Sequence, residues 1–137
     1  MSSEISISLS IAVNNGYVRD SFNPGQKLVD QAGVGRYGGV QDIGYDASEA
    51  LDFGDVETEG YLILQNLDTG HNVDYGPDSG GSMVAIGRLK PGEVALLRLK
   101  PGVTVRAQAV VAATGPTTTT THAPGSGVRL LVQLYED

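Results

Sequence analysis

This chain of 137 residues carries a formal net charge of −7, with 19 glycines, 6 prolines and neither cysteine nor tryptophan. Its length predicts one domain over residues 1–137, long enough to bury about two-thirds of its unfolded surface. The lack of cysteine excludes disulfides, thiolate metal sites and cysteine nucleophiles. The acidic balance disfavours nucleic-acid binding. The lack of an apolar run of about 20 residues predicts that the chain has no membrane-spanning helix.

The first predicted element is a strand near the amino terminus, where apolar and small polar residues alternate. The apolar positions are Ile5, Ile7, Leu9, Ile11 and Val13. A period of two predicts a half-buried strand, and the Asn-Asn-Gly that follows predicts a turn into a second strand at residues 17–22. The first strand either pairs within its own subunit or adds to a neighbour's sheet, so Ile5, Ile7, Leu9 and Ile11 are candidate partner-binding residues.

The part of the chain between residues 26 and 59 gives weaker signals. Residues 26–32 fit a strand or one helical turn, and short strands are predicted at 40–43 and 49–53. Gly33–Gly38 matches the letters of a dinucleotide-binding motif, but without the buried strand and helix that the motif requires. The acidic residues of the stretch 42–59 are interpreted as a solvated or docking surface, not as glycosidase carboxylates, because the chain has no tryptophan platform.

Residues 60–109 carry the clearest turn signals. The apolar run 61–64 predicts a strand covered on both faces, and a short strand at 71–75 and a loop at 76–81 follow. Two copies of Leu-Lys-Pro-Gly begin at Leu89 and Leu99. Pro followed by Gly predicts a turn in each copy, between strands at 83–89, 94–99 and 103–113.

The last part of the chain combines a low-complexity segment with a strand. The Thr/Gly/Pro-rich segment at about 114–127 predicts a mobile loop, and residues 128–135 predict a strand with Leu130, Val132 and Leu134 on one face. Nine or ten short strands without a convincing helix predict an all-β fold. We expect a single-domain antiparallel β-sandwich, for which a jelly roll is one arrangement, and a β-barrel is the alternative.

No group of residues suggests a reaction centre. His71 and His122 both lie in predicted loops, where we expect them to be solvated. An oxygen-rich group, which calcium could use, is formed by Asp68, Asn72, Asp74 and Asp78. However, the EF-hand spacing is missing, and Asp and Asn are common turn residues. We therefore predict no catalytic residues, no cofactor, no metal site and no enzymatic activity.

Basic residues concentrate in the second half of the chain. Acidic residues outnumber basic ones thirteen to three in residues 1–80, whereas basic residues outnumber acidic ones six to three in residues 81–137. The basic cluster comprises Arg88, Lys90, Arg98, Lys100 and Arg106. If the hairpins stack, several of these lie on one side and face an acidic partner, so Arg88, Lys90, Arg98 and Lys100 are candidate partner-binding residues. The alternative is that they are solvated residues that discourage edge-to-edge aggregation.

The runs Gly60–Asp68 and Leu89–Leu99, followed by an alternating strand, resemble a pattern in small tailed-phage virion proteins such as head-decoration and other minor structural proteins. The resemblance covers residues 49–110. It implies a non-enzymatic virion structural protein of a tailed bacteriophage, with a capsid decoration or cement subunit as the expected role.

The resemblance also implies a location and partners. We expect a virion protein, assembled in the host cytoplasm, that binds the major capsid protein or other virion subunits. Short strands leave sheet edges for neighbours to cover, which also predicts a homo-oligomer, with a trimer as the expected state. A tail or vertex adaptor is the alternative within this class. A carbohydrate-binding β-sandwich module using exposed tyrosines is the alternative outside it, and a cupin-like metal enzyme is disfavoured because both histidines lie in loops.

Overall fold

The structure is a computed structural model that describes residues 4–111 and 127–137, where it has thirteen strands and no helix. In that part of the chain, no helix is long and apolar enough to cross a membrane. The predicted all-β antiparallel fold is confirmed. The chain divides into two compact units, Met1–Gly33 and Val34–Asp137, and one domain over 1–137 stays a prediction. The expected loop at 114–127 lies outside the described residues apart from Gly127.

The first unit is a long antiparallel hairpin with two successive ladders. Its strands are β1 (Ile5–Ser8), β2 (Ile11–Asn14), β3 (Arg19–Phe22) and β4 (Gln26–Val29). Strand β1 pairs with β4, and β2 pairs with β3. The turn between β2 and β3 is closed by Asn15, whose N–H donates to the carbonyl of Val18 and whose side chain accepts from the N–H groups of Tyr17 and Val18.

The single strand expected over residues 5–13 is wrong, because the ladder is interrupted at Leu9 and Ser10. Residues Pro24 and Gly25 lie in the gap on the other arm. Proline has no N–H to donate, and Gly25 has a φ of +80°, so the arm cannot continue a regular ladder there. The ambiguous segment at 26–32 forms a strand, β4.

The second unit contains nine described strands: β5 (Arg36–Ile43), β6 (Glu49–Ala50), β7 (Glu59–Asn66), β8 (Asn72–Ser79), β9 (Ser82–Met83), β10 (Gly87–Leu89), β11 (Val94–Arg98), β12 (Val105–Val110) and β13 (Val128–Glu136). Sheet I has the order β11-β7-β13-β5, and sheet II has the order β10-β8-β12-β6, with β9 paired to β8. Apart from the β8–β9–β10 meander, each successive strand crosses to the other sheet. This order is the connectivity of a jelly roll.

The core of this unit lies between the inner faces of the two sheets. Successive side chains of a strand point to opposite faces, so alternate residues of β7, β12 and β13 are buried. Sheet I contributes Ile43, Leu62, Leu64, Val128, Leu130, Val132 and Leu134, and sheet II contributes Val73, Leu89, Val105, Ala107 and Ala109. The expected common face of the β13 leucines and valine is confirmed. The expected cover on both faces of residues 61–64 is wrong, because Tyr61 and Ile63 point outwards and are only half-buried.

Both Leu-Lys-Pro-Gly copies form the predicted turns. The carbonyl of Lys90 accepts from the N–H of Glu93 at 3.0 Å, and that of Lys100 accepts from the N–H of Val103 at 3.3 Å. The glycines have φ values of +82° and +86°, as the third position of a type II turn requires. One turn precedes β11 and the other follows it, so the two lysines lie at opposite ends of that strand.

The loop expected at residues 76–81 is wrong, because β8 continues as a strand to Ser79. The segment after β9 runs back alongside β8. The N–H of Val84 donates to the carbonyl of Pro77 at 3.0 Å, and the N–H of Ile86 donates to the carbonyl of Tyr75 at 2.9 Å. The expected strand at 83–89 is therefore divided into β9 and β10. Strand β5 begins four residues earlier than expected, and β6 spans only two residues of the expected 49–53.

Candidate binding surfaces

The first candidate surface is the N-terminal ribbon, defined as residues 4–33. In the inner ladder, Ile5 lies opposite Val29 and Ile7 opposite Lys27; these two isoleucines are half-buried. The half-buried state expected for the whole strand therefore holds only there.

Apolar side chains of the outer ladder of the ribbon are exposed. Ile11 lies directly opposite Phe22, and these side chains are 51% and 57% exposed. Val13 of the same ladder and Leu9, in the interruption before it, are exposed as well. A two-stranded hairpin is marginally stable at best in water, so a face of this kind gains stability when another surface covers it.

The structure divides the five residues of the basic cluster: Arg88 and Arg106 lie on sheet II, Arg98 lies on sheet I, and the two lysines lie in turns. Arg88 lies opposite Asp74 on the neighbouring strand and forms an ion pair with it, Nε to Oδ1 at 2.6 Å. This hydrogen bond and the charge of Asp74 raise the pKa of Arg88. Arg106 binds Asp78 at 3.3 Å and donates to the Ser48 hydroxyl at 2.9 Å.

The remaining basic candidates are separated from these. Arg98 forms an ion pair with Asp137, and its guanidinium carbon lies 4.9 Å from the centroid of the Tyr61 ring. Lys90 and Lys100 occupy the two turns at opposite ends of β11. The three arginines thus make contacts within the unit, and partner binding by Arg88, Lys90, Arg98 and Lys100 stays a prediction.

The acidic residues singled out from the sequence make local contacts. Asp68 accepts hydrogen bonds from the N–H groups of Gly70 and His71 through Oδ2, whereas Asp74 and Asp78 bind arginines. Glu49 accepts from the N–H of Gly44 and Glu59 from that of Gly102, each at 2.8 Å. Within residues 4–111 and 127–137, no group of three or more acidic or histidine residues is placed to hold a metal ion.

His71 is not the solvated residue expected from the sequence. It is half-buried, and its ring packs edge-on against that of Tyr45, with centroids 5.7 Å apart. Burial, and secondarily the charge of Asp68, raises the pKa of Tyr45. His122 lies outside the described residues. The Gly33–Gly38 motif runs into strand β5 where a dinucleotide-binding site requires a helix.

The second candidate surface is the outer face of sheet I, which consists of the side chains that point away from the core. Strand register arranges it in four rows across the sheet. The arginine row is Arg98, Tyr61, Tyr135 and Arg36. The first apolar row is Leu96, Ile63, Gln133 and Gly38. The second apolar row is Val94, Gln65, Leu131 and Val40. The aspartate row is Leu67, Arg129 and Asp42, of which Leu67 and Arg129 are joined by a backbone hydrogen bond of 2.9 Å.

The two middle rows make the outer face apolar at its centre. Val94, Leu96 and Val40 are 58%, 43% and 46% exposed, and Ile63 and Leu131 are half-buried. An antiparallel sheet with one face on the core normally has polar side chains on its other face, which is exposed to water. The sequence interpretation missed this surface; the signal for it was the apolar residues at the outward positions of β7, β11 and β13.

A third feature is an apolar cleft of about 190 Å³ between β11 and the end of β8. Its wall includes Tyr75, Pro77, Ile86, Leu97, Leu99 and Val103. Small-molecule sites generally have volumes of about 300 Å³ or more, so the cleft is small for a ligand.

No protein-family model, curated protein or solved structure matches this chain.

Proposed function

We propose that this protein is a non-enzymatic structural subunit of a tailed-phage virion, most simply a capsid decoration subunit, that binds the major capsid protein or another virion subunit. The observation that carries the proposal is the N-terminal ribbon. It exposes apolar residues on a two-stranded hairpin, which is a poor arrangement in water and a good one against a partner.

Two further features support this function. The jelly-roll connectivity recurs in viral capsid proteins, although it also occurs in lectins and cupins and does not by itself imply a function. The resemblance of residues 49–110 to small virion proteins agrees with that use of the fold. A ribbon can dock through its apolar face or pair its edge with a neighbour's sheet, and neither mode of protein binding involves a catalytic step.

The presence of the protein in particles is the direct test. We expect antibody against the recombinant chain to label tailed particles released by the bacterium that carries the gene, and the labelled material to sediment with them. Antibody signal that stays entirely in the soluble fraction would overturn the proposal. If such soluble protein were also retained on a polysaccharide gel, the carbohydrate-binding module would be the better description.

A pair of variants tests the role of the ribbon in attachment. Ile11→Asp should weaken the binding of the purified chain to particles that have been depleted of this protein. The expected loss of affinity is at least about tenfold, which corresponds to about 1.4 kcal/mol of binding free energy. Ala12→Asp, which places the same charge on the opposite face of the same strand, should bind like the unmodified chain. Equal losses for both variants, or no loss for either, would contradict docking through the apolar face.

A further inference from the structure

We infer that a second copy of this chain covers the outer face of sheet I, in a two-fold symmetric pair whose axis runs across the strands between the two apolar rows. The inference goes beyond the proposed function and does not depend on it, because it uses only the side chains of this face. It predicts a dimer, whereas the sequence suggested a trimer.

The axis determines which rows meet. A two-fold interface is isologous, so each residue that contacts a second residue is itself contacted by the first in return. With the axis between the middle rows, each apolar row faces the other apolar row of the partner subunit. The arginine row then faces the aspartate row, at both ends of the interface.

On β5, the charges at the two ends of the face complement each other across this axis. Arg36 and Asp42 lie six residues apart on β5, about 20 Å at 3.3 Å per residue, one at each end of the face. The axis places Arg36 opposite Asp42 of the partner subunit, and Asp42 opposite Arg36 of the partner subunit. It also places Tyr135 opposite Arg129 of the partner subunit, where a cation–π contact is available.

The shapes of the middle rows agree with this pairing. Gly38 lies opposite Val40 of the partner subunit, whose side chain is nearly half exposed in the single chain. Arg36 lies over Gly38, with Nη2 3.5 Å from the position of a Cβ there, and turns outward to Asp42 of the partner subunit when Val40 packs against Gly38. Leu96 lies opposite Val94 of the partner subunit. Two sheets that pack face to face interdigitate side chains in this way, with their strands within about 30° of each other.

A two-fold axis parallel to the strands also brings these faces together, and it is less favourable. An axis parallel to the strands would exchange β5 with β11 and place Arg36 opposite Arg98 of the partner subunit. Like charges placed opposite each other disfavour an interface. The charge pattern therefore selects the axis that runs across the strands.

The area of the face is sufficient for a specific, modest dimer. Three strands of eight or nine residues and the five residues of β11, about 4.8 Å apart, cover about 480 Å² per copy. Two copies reach about 1,000 Å², the lower limit for a specific interface. We expect association in the micromolar range, visible by sedimentation of the full-length chain, with the mass of two 14.3 kDa chains.

A charge swap tests this arrangement. Arg36→Asp and Asp42→Arg, each alone, should weaken the dimer by at least about tenfold, because each change places like charges at both ends of the interface. The double variant Arg36→Asp/Asp42→Arg should recover most of the lost affinity, since the isologous pairing is restored with the signs exchanged. Lys100→Asp and Asp55→Arg make the same charge changes off the face and should leave the dimer unchanged.

Several outcomes would overturn the inference. One is a chain that stays monomeric at about 1 mM, and another is a sedimentation mass of three chains. A third is that the single and double charge variants weaken association equally. Leu96→Asp is a further check in the first apolar row and should give a folded monomer by far-UV circular dichroism and sedimentation. Because Ile11→Asp should still dimerise, loss of particle binding and loss of dimerisation are measured separately.

Discussion

Asn66→Ala is expected to lower the free energy of unfolding by about 3 kcal/mol, because it removes three hydrogen bonds made by a buried side chain. Asn66 is 0% exposed and stands at the end of β7. Its Nδ2 donates to the carbonyls of His71 and Leu89, at 2.8 and 3.1 Å, and its Oδ1 accepts from the N–H of Asp68 at 2.9 Å. Alanine would leave three backbone groups without these contacts.

The position of Asn66 explains the size of the effect. Its side chain joins the end of β7, in sheet I, to the start of β8 and the end of β10, in sheet II. Its backbone also bonds to the turn before β11, through Gly92 and Glu93. Asn66 therefore holds two connections of the jelly roll in place, the one between β7 and β8 and the one between β10 and β11.

Urea denaturation with circular dichroism measures this effect. Asn72→Ala, which makes the same substitution at the outward-facing first residue of β8, is the matched control and should change stability by about 0.5 kcal/mol or less. Asn66→Asp should destabilise at least as much as alanine, because a carboxylate would face two carbonyl oxygens. A loss of less than about 1 kcal/mol for Asn66→Ala would contradict the structural role of the amide.

Gly76→Ala is expected to cost about 3 kcal/mol, at the upper end of the range for overpacking. A Cβ at Gly76 would lie 1.9 Å from the carbonyl oxygen of Val84 and 2.8 Å from its carbonyl carbon. These are backbone atoms of the segment that hydrogen-bonds to β8 on both sides of Gly76. The segment cannot move away without breaking those bonds.

A second glycine gives the matched control. Gly70 lies in the connection before β8, has ordinary φ, and a Cβ there would meet nothing within 4 Å. Gly70→Ala should therefore leave stability unchanged or raise it by up to about 1 kcal/mol, because alanine has less conformational freedom when unfolded. Thermal and urea unfolding of both variants check this, and equal stability of the two would show that β8 and Val84 are not in close contact.

The sequence by itself determined the fold class and the local turns. Alternation of apolar and polar residues depends only on the period of a strand, so β13 and its buried leucines were predicted correctly. The two Leu-Lys-Pro-Gly turns also follow from local chemistry, because proline presets φ and glycine accepts positive φ. These features need no distant partner.

Only the tertiary structure decided the features that depend on pairing between distant segments. The division of the first strand at Leu9 depends on what lies opposite it, and the extension of β8 depends on the return of Val84 across Gly76. The separation of the basic residues, the burial of Asn66 and the rows of the outer face all follow from strand register. Register is set by contacts between residues far apart in the chain, so the period of a single strand cannot reveal which residues will share a surface.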